Sequence, residues 1–161
     1  MAKIKSTEER GKFKRDIQKA LYKNDDFMDF MFENASDLNV EEKRALFRDH
    51  VKSHLFIDDT IEETTSYIFY DVRMPSLGDK IKKCEVLMYV ICHRDILDKC
   101  ENEKFIGNRA DILSQIVENT LVANDNSQEF GIGQLSLDSV DIYNSKRFYG
   151  CIMRFSVFNF R

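Results

Sequence analysis

Seven consecutive residues, Val86–Cys92 (VLMYVIC), carry apolar or aromatic side chains without a break, and no other stretch restricts the fold as much. The run lies within Lys82–His93 (KKCEVLMYVICH), between Glu85 and His93, a length that suits a strand better than a helix. Successive strand side chains point to opposite faces, so a strand that is apolar at every position needs cover on both. A second strand of this kind lies near the C-terminus, over Arg147–Phe160. There Tyr149, Cys151, Met153, Phe155 and Val157 share one face, and Phe148, Ile152, Phe158 and Phe160 the other.

Two further strands accompany them. Thr64–Arg73 (TTSYIFYDVR) is rich in β-branched and aromatic residues, and Pro75 and Gly78 mark the connection that follows it. Gln134–Tyr143 places apolar residues at Leu135 and Leu137, then at Val140 and Ile142, a change of parity that predicts a bulge near Asp138 and Ser139. Between the two strand pairs, Asn108 with Asp111 caps a helix whose apolar stripe is Ile112, Leu113, Ile116, Val117 and Leu121.

The N-terminal third is helical in pattern. Ser6 with Glu9 reads as a capping box, Phe13, Ile17, Ala20 and Leu21 recur at helical spacing, and Asn24 ends the helix. Asp25 and Asp26 open a short second helix with Phe27, Phe30 and Met31 on its apolar face. Asn39 with Glu42 caps a third, carrying Leu46, Phe47, His50, Val51 and His54. The expected fold class is α+β. Residues 1–54 form an N-terminal helical arm, and residues 55–161 a four-stranded, mainly antiparallel sheet (β-β-α-β-β) with one helix packed on a face.

One helix covers one face. The second must be shielded by the arm or by a neighbouring copy, so self-association is expected. The candidate contact residues are Phe13, Ile17, Phe27 and Phe30 in the arm and Ile152, Phe158 and Phe160 on the sheet. On this reading, removing residues 1–37 leaves a folded but monomeric or aggregating core.

Charge is unevenly spread. Met1–Lys23 holds eight bases and three acids, whereas Asn24–Glu42 holds seven acids and no base. Two such segments can attract each other or a partner, or can be solvated helix faces. Lys12, Lys14, Arg15, Lys19 and Lys23, with Phe13 and Tyr22 among them, would suit phosphates. The acidic segment beside them and a pI near 5.5 argue against a nucleic-acid function. With 43% apolar and 32% charged residues and no apolar run of membrane length, the chain reads as globular and soluble without a span. Met1–Lys14 is too charged for a secretory signal.

No template for chemistry fits. Cys84, Cys92, Cys100 and Cys151 lack a zinc spacing and read as reduced thiols. His50 and His54, on one helix, would form a ligand pair with Asp58 and Asp59 nearby, but the metalloprotease glutamate is missing. Gly131-Ile-Gly133 lacks the third glycine of a dinucleotide site, and adjacent Cys92 and His93 point to opposite faces of a strand. No catalytic residue, metal or cofactor is expected.

Four stretches carry a resemblance. They are the strand ending Val90-Ile-Cys-His93, the helix opening Ile106-Gly-Asn-Arg-Ala-Asp-Ile-Leu113, the segment Phe130-Gly-Ile-Gly-Gln-Leu-Ser-Leu137, and the closing strand Phe148–Asn159. Residues 55–161 resemble the tail-terminator and tail-completion (head–tail neck) proteins of long-tailed bacteriophages. The resemblance implies a structural virion protein made in the bacterial cytoplasm. It would form a ring, usually a hexamer, at the head-proximal end of the tail tube and stop tube growth. Its partners would be further copies of itself, the tail tube protein and a head-closure or connector protein, with no membrane and no specific nucleic acid. Alternatives are a head-closure or connector protein at the same junction, or a non-viral interaction module. Residues 1–54 have no counterpart in that resemblance.

Overall fold

The structure, a computed structural model, describes residues 6–55, 61, 63–77, 81–100, 104–122 and 135–160. Its helices are α1 (Ser6–Lys23), α2 (Asp25–Met31), α3 (Val40–His50) and α4 (Arg109–Leu121). Its strands are β1 (Val51–Lys52), β2 (Ser66–Leu77), β3 (Ile81–His93), β4 (Ser136–Asn144) and β5 (Phe148–Phe160). The strands form one mixed sheet of five in the order β1-β2-β3-β5-β4. All neighbours are antiparallel except β1 and β2.

Local signals set the helix ends. The Asn24 N–H bonds to Leu21 O, closing α1, while its side-chain oxygen accepts the Phe27 N–H at 3.0 Å, opening α2. Complete capping boxes form at Asn39–Glu42 and Asn108–Asp111. The first helix begins at Ser6 itself, so the expected cap there falls outside the described residues.

Three expectations are corrected. The third helix stops at His50, because Val51 turns to an extended conformation (φ −120°, ψ 106°) and pairs with Ile68. Val51 is β-branched and buried, and as a strand residue it adds the fifth, parallel strand to the four expected. Second, β2 runs through Pro75 instead of ending before it, with the ladder to β3 shifting register between Arg73 and Ser76. Proline has no N–H to donate, and among the described residues β1 pairs only with Ile68 and Phe69, leaving the outer edge of β2 at Pro75 without a described strand beside it. Third, the two faces of β3 are not equally covered. Cys84, Val86, Met88, Val90 and Cys92 are fully buried beneath the helices, but Leu87 and Tyr89 on the other face are half-buried.

The helical arm and α4 lie on the same face of the sheet. Helix α1 packs on β2, α4 on β3 and β5, and α2 between α1 and α4. Phe13, Ile17, Leu21, Phe27, Ile112, Leu113, Ile116 and Val117 join Ile68, Tyr70, Met88, Val90, Met153 and Phe155 in one core. Polar contacts join the same elements. Arg109 donates to Ser66 Oγ and Phe30 O, both at 3.0 Å, and Asn24 Nδ2 donates to Thr120 Oγ1 at 2.9 Å. The predicted bulge is present, between Leu137 and Ser139 in β4.

Candidate assembly surfaces

The second face of the sheet carries no helix among the described residues. One end of it is closed by an aromatic cluster of Tyr67, Phe69, Ile91 and Phe148, with Ile61, Tyr89 and Tyr143 packed against it. His50 helps to hold this end. Its Nδ1 donates to Leu46 O at 2.8 Å, and its ring stacks on Tyr67 at 5.3 Å between centroids.

Toward the other end a cavity of about 610 Å³ is lined by the charged Arg10, Asp71, Arg73, Glu85 and Arg154 and by apolar residues that include Leu55, Met74 and Leu87. Two cations hold Asp71. Arg10 Nη2 lies 2.6 Å and Lys14 Nζ 2.8 Å from its Oδ1, while Arg10 Nε donates to Val72 O at 2.6 Å. Burial pushes the Asp71 carboxyl up, but the Lys14 hydrogen bond, the Val72 N–H and the charges of Lys14 and Arg10 together hold it below its ordinary value. Glu85 pairs with Lys83 at 3.0 Å and more loosely with Arg73 at 3.8 Å. The lining is thus a set of mutually satisfied charges beside apolar residues, an arrangement suited to contact with another polar surface.

The two edges of the sheet differ. Beside β2 the edge is blocked by β1, by Arg10 on the Val72 carbonyl and by the Asp71 carboxylate on the Val72 N–H at 2.8 Å. Beside β4 no strand pairs among the described residues, and Val140 and Ile142 are 56% and 74% exposed. An open edge with apolar side chains is the usual template for joining another chain.

The residues singled out from the sequence fall into three groups. Phe13, Ile17 and Phe27 are buried in the chain's own core, not presented outward. Phe30 is half-buried beneath the Arg109 guanidinium at 4.9 Å, and Ile152 is half-buried on the second face next to Tyr89. The side chains of Phe158 and Phe160 lie outside the described residues, as do Asp58, Asp59 and Gly131–Gly133. Val140 and Ile142, apolar positions of the expected strand, stand exposed. The signal was there in the polar Ser136, Ser139 and Asp141 that alternate with them, a pattern of edge strands.

His54 is no longer one helical turn above His50, since α3 ends at His50. Among the described residues no three His, Cys, Asp or Glu side chains gather as a metal site. Cys84, Cys92, Cys100 and Cys151 form no disulfide in the structure. Cys92 accepts a hydrogen bond from Ser66 Oγ at 3.2 Å, and burial pushes its thiol up to about 11, so it stays protonated at neutral pH. No helix among the described residues is long and apolar enough to cross a membrane.

No curated protein matches the chain. The model of one family, YomW, matches residues 15–157, which takes in the second half of α1, α2 to α4, β1 to β4 and most of β5. By that match, across the helical arm and the sheet alike, the chain belongs to the YomW family.

Proposed function

We propose that this chain is a structural protein of a bacteriophage that works by binding, not by catalysis, and that it forms a ring at the head-proximal end of a tail tube. There it would end tube growth and join tail to head. The observation that carries the reading is the open edge of β4, where Val140 and Ile142 stand exposed on a strand that nothing described covers. Three separate devices block the β2 edge, while β4 is unpaired among the described residues, and that difference supports β4 as a contact edge. The family name is of a Bacillus phage type, which supports a phage setting. The β-β-α-β-β order of residues 66–160 supports the resemblance to tail terminators. In the proposal the partners are further copies of the chain, the tail tube protein and a head-closure or connector protein, and the site of action is the virion neck.

Quantitative mass spectrometry of purified phage particles tests this. The expected result is a few copies per virion, a small fraction of the tube protein. Absence from the particle, or copies in the hundreds, would sink the terminator reading. A second reading, a head-closure or connector protein, rests on the same surfaces. Cross-links to the portal side without any to the tube protein would favour it.

A further inference from the structure

We propose that copies of this chain join head to tail, with the basic outer face of α1 in one copy lying on the acidic surface of α2 and the start of α3 in the next. The inference rests on the assembly reading and names one contact between copies, separate from the β4 edge. Helix α1 buries Phe13, Ile17 and Leu21 on its inner side. Its outer side exposes Lys12, Arg15, Lys19 and Lys23, spaced three or four apart and therefore aligned as one stripe. Just beyond it, Asp25, Asp29, Glu33, Asp37, Glu41 and Glu42 are all exposed. Asp26 beside them is paired with Lys104 at 2.8 Å. Among the described residues no ion pair joins the basic stripe to the acidic surface, although the two blocks are adjacent in the chain.

Two opposite patches on one molecule are complementary between copies. A two-fold dimer that opposes like patches is disfavoured, and a reciprocal two-fold dimer stops at two copies. Only the head-to-tail contact leaves a patch of each copy for the next, as the ring reading requires. A heterologous contact satisfies both patches at once, and it closes into a ring when the rotation permits. Each exposed pair contributes little and is screened by salt. The charges therefore set orientation and encounter rate, and ring closure multiplies many weak contacts. A polyanion such as DNA would meet the stripe but be repelled by the acids beside it, so a second copy is the better occupant.

The test uses the full chain at low ionic strength, with native mass spectrometry as the readout and circular dichroism as the folding control. One variant carries Lys12→Glu, Arg15→Glu, Lys19→Glu and Lys23→Glu. A second carries Asp29→Lys, Glu33→Lys and Asp37→Lys, which spares the first-turn acids that favour helix N-termini. The wild type is expected to associate and to dissociate as salt approaches about 1 M, where the screening length is roughly 3 Å. Each variant alone is expected to be monomeric, and an equimolar mixture of the two to associate again. A variant that assembles like the wild type overturns this interface while leaving the ring reading standing. A wild type that stays monomeric at low salt also overturns it, and the particle count then tests the ring reading separately. A wild type that stops at two copies overturns the head-to-tail arrangement. A monomer whose stripe shifts duplex DNA would assign the stripe to nucleic acid instead.

Discussion

A methyl group at Gly150 has nowhere to go. A Cβ there would run into the Val90 carbonyl oxygen and lie 2.8 Å from Ile91 Cα, both backbone atoms of the neighbouring strand. Gly150→Ala should therefore push β5 off β3 and lower stability by about 1–3 kcal/mol, read as a lower urea midpoint at unchanged slope. Asp71 gives the pH-dependent counterpart. Its carboxyl is held below the ordinary value in the folded chain, so its contribution is complete above the unfolded value of about 4 and fades as pH falls through the folded one. Asp71→Asn should lower the melting temperature at pH 7 and make little difference near pH 2. An equal deficit at both pH values would show that the Arg10 and Lys14 contacts act through packing alone. Neither residue was legible in advance. Gly150 lies in an unbroken strand pattern, and what makes it necessary is Val90, sixty residues away in sequence.

At the scale of elements, what could be read was what is decided locally. The boxes Asn39–Glu42 and Asn108–Asp111 each close within one helical turn, and the stripe of α4 is buried as its spacing implies. Ile116 is 2% exposed, so Ile116→Ala should cost about 2–5 kcal/mol by chemical denaturation. A loss under 1 kcal/mol would mean that the site collapses around the smaller side chain. What could not be read is decided by the order of strands. Val140 and Ile142 alternate with polar Ser139 and Asp141, which marks a half-exposed strand but not its place, and β4 lies outside β5 at the end of the sheet. Val51 fits a helical stripe equally well. Its pairing with Ile68 in β2 ends the helix instead, and no local signal reports a partner seventeen residues on. The same holds for the arm, whose apolar positions were legible but whose packing partner, the face already used by α4, was not.

For the whole molecule, this placement changes what the arm is. Phe13, Ile17, Leu21, Phe27, Met28 and Met31 all belong to the same core as the sheet and α4. Fully burying one such side chain contributes about 1.5–3 kcal/mol, so six of them, about 9–18 kcal/mol together, are comparable to the roughly 5–15 kcal/mol by which a domain is stable. Arg10 and Lys14 leave with them, and these hold Asp71 and the Val72 carbonyl at the β2 edge. Removing residues 1–37 would therefore expose Ile68, Tyr70 and Val117 and strip the edge at the same time. The structure thus argues against a separable arm over a self-sufficient core. Residues 38–161 alone should show no cooperative thermal transition and no near-ultraviolet dichroism, and should aggregate through the uncovered face. A sharp melt of that fragment would mean instead that α4 and the sheet suffice. The arm would then be an attachment able to exchange between copies, and the charged stripe of α1 would act within its own subunit's neighbour by swapping, not by docking.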